Sequence, residues 1–186
     1  QEFVHRFSDN VQEKKEIAEK TKKLIAPKSC VFIDSGSTTL YFSKELPNDN
    51  YYIVTNALNV ATEVLRKSQP TVVLLGGDVN RNNLVTVGRS SLDFLKTINI
   101  DVAIMTATGF NAEKGRFTCG LQDEMEIKRA VIEKADKVIM LLDSSKVGKN
   151  MPFTFAELSN INYLVVDGNF PQVIKSKIEN LGTIVI

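Results

Sequence analysis

Val31-Phe32-Ile33-Asp34-Ser35-Gly36-Ser37-Thr38-Thr39 is the stretch on which the fold turns. An apolar run stops at an acid, bends through Ser-Gly-Ser and enters a helix through two threonines. The first N–H groups of a helix have no intrahelical partner and sit at the positive end of the peptide dipoles. Gly36 lets the backbone approach a ligand closely, and the hydroxyls around it add donors, so the turn suits a phosphate or carboxylate. The same residues also serve as ordinary N-caps. Both readings stand until other parts of the chain are weighed.

Working outward, short β-branched runs alternate with helical stretches. Strands are expected at Val31–Asp34, Tyr52–Thr55, Val72–Leu75, Val85–Val87, Val102–Thr106, Val138–Leu142, Leu164–Asp167 and Thr183–Ile186. Helices are expected at 9–26, capped by Ser8 or Asp9 and stopped by Pro27, and at Thr38–Glu45, Ala57–Arg66, Ser90–Lys96, Asp123–Asp136 and Phe170–Asn180. Continuously apolar strands separated by helices predict a parallel sheet covered on both faces. Eight strands would also suit a closed barrel, but that architecture typically takes about 250 residues. With 186 residues, an α/β fold with an open, mostly parallel, doubly wound sheet is the better fit.

Composition narrows the function. Apolar residues make up 43% and charged residues 24% of the chain, ordinary values for a globular domain. No apolar run approaches the roughly 20 residues of a membrane span. The 23 basic and 22 acidic residues leave a net charge of +1, which argues against this segment gripping nucleic acid by itself. Cys30 and Cys119 are single, distant and without metal-ligand spacing, as expected of small buried residues in a reducing cytoplasm. His5 is the only histidine, so neither histidine-based catalysis nor a metal site is expected. The chain opens Gln1-Glu2-Phe3-Val4 without an initiator Met, as an internal fragment would, and this predicts a further N-terminal domain.

Open α/β sheets bind ligands at the carboxyl ends of their strands, where strand order reverses. The second strand end offers Thr55-Asn56, in which Asn56 either caps the next helix, the cheaper account, or offers its amide to a sugar hydroxyl. The third offers Gly76-Gly77, a bare turn or a ligand lip. After Val102–Thr106 come Thr108 and Gly109 and a polar connection of about 14 residues, longer than the usual two to six, which reads as a ligand-responsive flap over 107–120. The following helix carries Glu124 and Lys128, either a solvated pair one turn apart or a site in which Lys128 anchors loop or ligand. The sixth strand ends in Asp143-Ser144-Ser145-Lys146, where a flexible ammonium can reach over the sheet edge toward a dianion.

In this order and spacing, Asp34 to Thr39, Thr55-Asn56, Gly76-Gly77, Val87-Gly88, Glu124 to Arg129 and Asp143 to Lys146 resemble the C-terminal sensor domain of the DeoR family of bacterial transcription regulators. The resemblance runs from about residue 12 to 170. Such proteins join an N-terminal winged helix-turn-helix to this sensor, usually repress sugar or nucleoside catabolic operons, and respond to phosphorylated sugars. The resemblance therefore implies a single effector-binding domain over 1–186, operator DNA reached through a preceding domain, a homo-oligomer (dimer or tetramer) and a cytoplasmic location. It implies no cofactor and no membrane association.

The sensor fold is similar to ribose-5-phosphate isomerase and the wider glucosamine-6-phosphate deaminase and CoA-transferase-like group. By that similarity Ser35, Gly36, Ser37, Thr38, Thr39 and Lys146 hold the phosphate. Asp34, Asn56, Gly77, Thr108, Gly109, Lys128 and Asp143 are then the candidates beside the sugar. The isomerases carry paired aspartates after their central strand, whereas this chain has Thr106, Thr108 and Asn111 there. Neutral hydroxyls and amides cannot act as general bases, so the expectation is a binding domain without catalytic residues. The competing expectation is an active sugar-phosphate isomerase.

Overall fold

Val31, Phe32 and Ile33 are wholly buried, and alternate side chains of this strand enter different cores. In the computed structural model, which describes residues 8–186, Phe32 joins one apolar cluster with Met105, Met140 and Leu164. Val31 and Ile33 join another with Ile53, Ile104 and Ile139. A strand buried on both faces is what an unbroken β-branched run produces in a parallel sheet.

The chain forms α1 (Val11–Thr21), β1 (Cys30–Ile33), α2 (Ser37–Glu45), β2 (Tyr52–Thr55), α3 (Leu58–Val64), β3 (Thr71–Leu74), β4 (Asp78–Asn80), β5 (Val85–Val87) and α4 (Arg89–Leu95). It continues through β6 (Val102–Thr106), β7 (Gly109–Asn111), β8 (Arg116–Cys119), α5 (Gln122–Lys134), β9 (Lys137–Leu142), β10 (Phe153–Glu157), β11 (Tyr163–Val166), α6 (Gln172–Asn180) and β12 (Ile184–Val185). The main sheet has seven strands in the order β12-β11-β9-β6-β1-β2-β3, all paired in parallel. The chain winds outward from β1 in one direction and from β6 in the other. The β1/β6 boundary is therefore the switch point, with Asp34 and Thr106 at its two strand ends.

Helices α1, α2 and α3 cover one face through Ile17, Phe42 and Val60. The other face is covered by α4, α5 and α6 through Leu95, Ile127 and Ile178, together with a second sheet that contributes Phe110, Phe117 and Phe155. That second sheet is antiparallel, in the order β10-β8-β7. Among the described residues no helix is long and apolar enough to cross a membrane.

Three expectations need correction. The segment 107–120 is no flap: β7 and β8 pair as a hairpin with Phe110, Phe117 and Thr118 fully buried. Its polar residues hid the pattern because Thr118 is buried with its hydroxyl donating to Gly109 O and accepting from the Met151 N–H, pairings the sequence does not show. Val85–Val87 is a strand but lies outside the main sheet, paired with β4. The first helix begins at Val11 behind Asn10, which caps nothing with its side chain, so neither Ser8 nor Asp9 is the cap. His5 lies outside the described residues.

Candidate functional site

At the switch point the end of β1 turns through Ser35 and Gly36 into α2. The first intrahelical bond runs from the Leu40 N–H to Gly36 O (3.1 Å), so the amides before it are those a helix start leaves without a helical partner. Thr39 turns inward: it is fully buried and its hydroxyl donates to Gly36 O at 3.0 Å. Ser35, Gly36, Ser37 and Thr38 instead line an open cleft at the sheet edge. Thr106, Ala107 and Thr108 from the end of β6, Asn83 from the β4–β5 turn, Glu124 from α5 and Lys146 line it too.

Lys146 arrives from the carboxyl end of β9. Asp143 caps a single 3-10 turn over Ser144–Lys146, accepting from the Ser145 N–H (3.1 Å) and from the Ser145 hydroxyl. The lysine ammonium stands 3.9 Å from the Asp143 carboxylate. Asp143 is itself buried, so it shapes the lysine turn from beneath and does not border the cleft.

Below the cleft lies a buried ionic knot. Lys128 Nζ pairs with Asp34 Oδ2, donates to Thr106 O at 2.8 Å and stands 3.5 Å from Glu124 Oε1. Asp34 also accepts from the Ser35 N–H (2.9 Å) and the Thr106 N–H (3.0 Å). Burial alone would push the Lys128 pKa down; the charges of Asp34 and Glu124 outweigh it and hold it above the usual lysine value. The side chains of Asp34 and Lys128 are 2% and 1% exposed. Neither lines the cleft, so the expected direct sugar contacts are corrected: the pair fastens the β1 and β6 strand ends side by side. Nor is Glu124–Lys128 a solvated surface pair.

Three further candidates are structural. Asn56 donates from Nδ2 to Thr86 O (3.1 Å) and receives the Thr86 N–H on its backbone oxygen (2.8 Å), so it ties β5 to the end of β2. It neither caps α3, whose N-cap is Ala57, nor lines the cleft. Gly77 has a φ of 139°, and a Cβ there would meet Val87 O at 2.4 Å, so Gly77 is packed against the end of β5 and does not line the cleft. Gly109 lies against Lys149 O, 2.4 Å from where a Cβ would stand, and seats the loop that carries Lys146.

Of the thirteen candidate residues, six line the cleft, namely Ser35, Gly36, Ser37, Thr38, Thr108 and Lys146. Glu124 and Asn83 were not among them. Glu124 reads in the sequence as half of an i,i+4 pair, and Asn83 belongs to a turn whose fold-back toward α2 has no local signature.

The description "DeoR C terminal sensor domain" belongs to the family profile that matches residues 9–168. The HTH-type transcriptional regulator GlpR of Haloferax volcanii is 29% identical over 187 residues, covering 100% of this chain and 72% of its own. The glycerol-3-phosphate regulon repressor of Escherichia coli is 30% identical over 167 residues, covering 89% of this chain and 66% of its own. This chain thus spans about two thirds of the length of such relatives. Among solved structures, ribose 5-phosphate isomerase A from Methanocaldococcus jannaschii superposes with a TM-score of 0.55 at 17% identity, over 75% of this chain and 55% of that one. At that identity the likeness concerns the fold alone.

Proposed function

Because this chain belongs to the DeoR C-terminal sensor domain family, we propose that it is the effector-binding part of a transcription regulator and that its cleft holds a phosphorylated sugar or polyol. One observation carries this reading: the α2 helix start and the Lys146 ammonium, which come from the carboxyl ends of β1 and β9, line one and the same cleft. Helix-start amides, hydroxyls and a lysine together make a site for a phosphate monoester dianion. Ser35, Gly36, Ser37, Thr38 and Lys146 take the phosphate, and Thr108 and Asn83 border the carbon chain.

In the full-length protein this domain works with a DNA-binding domain on operator DNA, as a homo-oligomer, and represses a sugar catabolic operon. The Escherichia coli relative is a glycerol-3-phosphate regulon repressor, in agreement with a phosphorylated polyol as the signal here. Ligand acts by favouring one arrangement of the oligomer over another, which requires different affinity for the two.

The domain does not catalyse. Thr106, Ala107 and Thr108 are neutral where the isomerases carry paired aspartates, and the one carboxylate that lines the cleft among the described residues, Glu124, stands as a fixed charge 3.5 Å from the Lys128 ammonium. A proton-transfer enzyme needs a base within reach of the substrate carbon acid. The test is thermal melting against phosphorylated sugars and polyols and their unphosphorylated parents. A ligand at 100 times its Kd stabilises by about 2.7 kcal/mol. Only phosphorylated compounds should raise Tm, Lys146→Ala should remove the shift, and no compound should be converted. Equal shifts with the unphosphorylated parents would overturn the reading.

A further inference from the structure

The cleft is bordered by a carboxylate as well as by helix-start donors and an ammonium, which is unusual for an anion site. Glu124, in the first turn of α5, lines the same cleft as Ser35–Thr38 and Lys146. Its side chain is 19% exposed. The ammonium nearest to it, Lys128 at 3.5 Å, already serves the Asp34 carboxylate from below. Two carboxylates thus share one cation, and this group carries a net negative charge that borders the ligand space. The positive end of α5 helps to hold that charge in place.

A carboxylate offers only acceptor sites, so whatever faces Glu124 must donate. Hydroxyls on a carbon chain do this; a second carboxylate or phosphate meets like charge in a partly desolvated cleft. Taking the α2 end as the phosphate subsite, we infer that Glu124 selects the ligand by charge: it accepts hydroxyl hydrogen bonds from the carbon tail and excludes phosphate esters whose tail bears a second anion. The ligand class narrows accordingly to monophosphorylated polyols and sugars. Phosphorylated sugar acids and bisphosphates fall outside it.

This inference rests on the phosphate reading above, and matched pairs of compounds separate the two. Titration calorimetry would compare glycerol 3-phosphate with 3-phosphoglycerate, and ribose 5-phosphate with ribose 1,5-bisphosphate, on the wild-type protein and on Glu124→Gln. The wild type should prefer the member with a single anionic group, the phosphate, at least tenfold. Glu124→Gln should shrink that preference at least tenfold by admitting the member with a second anionic group. A wild type that binds both members of a pair equally overturns the selector role and leaves the phosphate subsite intact. A wild type that binds neither these esters nor any other phosphate ester overturns both. The wild-type comparison stands by itself should Glu124→Gln fail to fold, and an unchanged preference in a folded variant also overturns the selector role.

Discussion

Lys128 and Asp34, 94 positions apart in the chain, meet in a buried hydrogen-bonded ion pair directly beneath the ends of β1 and β6. The lysine adds a bond to Thr106 O, and the aspartate gathers the Ser35 and Thr106 N–H groups. Helix α5 is thereby fastened to both lips of the switch point. Removing one partner leaves the other charge buried without compensation, which typically costs about 3–5 kcal/mol. Lys128→Met should therefore lower the urea-unfolding free energy by about that amount. The double variant Lys128→Met/Asp34→Asn should lose clearly less than the sum of the two single losses, because no lone charge remains. Strictly additive losses would show that the two side chains act independently.

Gly36 lines the cleft and packs closely against the end of β6. A Cβ on it would come within 2.9 Å of Thr106 Oγ1, the hydroxyl that donates to Ser35 O at 3.0 Å. Gly36→Ala should therefore push Thr106 aside and narrow the space under the helix start. Overpacking of this kind costs about 1–3 kcal/mol, a loss visible in denaturant midpoints. The larger effect should fall on the response to phosphorylated ligands, which the variant loses while still folding cooperatively. A variant that keeps a full melting shift with such ligands would mean that the α2 start is not where the phosphate sits.

The main sheet and the polar strand ends were legible in the sequence because both follow from local pattern. Continuous apolar, β-branched runs such as 102–105 and 138–142 read as strands buried on both faces, and Ser35–Thr38 announces a helix start in its composition. What stayed hidden depends on partners distant in the chain. Arg116–Cys119 reads as part of a polar loop until β10, more than thirty positions on, supplies the second side of its ladder. Lys128 reads as a surface residue because its i,i+4 partner is Glu124; the residue that buries it, Asp34, lies in another element. Gly77 and Gly109 read as ligand-side glycines because sequence shows the missing Cβ but not the carbonyl that occupies its place.

That last point makes Gly109 a test of position as opposed to ligand contact. Lys149 O lies 2.4 Å from where its Cβ would be, and Thr118 Oγ1 lies at 2.9 Å. The same segment is held to the hairpin by Gly148 N–H donating to Phe110 O (2.9 Å) and Met151 N–H donating to Thr118 Oγ1 (2.9 Å). Gly109→Ala must displace backbone, and it should destabilise by about 1–3 kcal/mol or more. It should also weaken phosphate binding from a distance, because the displaced loop carries Lys146. Inorganic phosphate titrated into both proteins should bind the variant several-fold more weakly. Unchanged phosphate affinity in a destabilised variant would separate the Lys146 position from the hairpin.

Alkaline pH offers the last test, and its sign follows from two groups held above their ordinary pKa values. Burial pushes the Cys119 thiol up to about 12, with the nearby Glu124 charge adding to it. The charges of Asp34 and Glu124 overcome burial to hold Lys128 above the usual lysine value. In both cases the native state keeps a proton that the unfolded chain gives up, so stability falls as pH rises. The decline should begin near the thiol's unfolded pKa of about 8.5 and steepen above the lysine's unfolded value of about 10.4. Each group adds a slope of up to about 1.4 kcal/mol per pH unit within its window. Denaturant midpoints measured from pH 7 to 10 should therefore drop for the wild type and drop less for Cys119→Ala, which lacks the thiol. The same burial predicts that Cys119 resists iodoacetamide in the folded protein and reacts on unfolding. Parallel pH profiles for the two proteins, or prompt alkylation under native conditions, would mean that the thiol reaches solvent in the folded state.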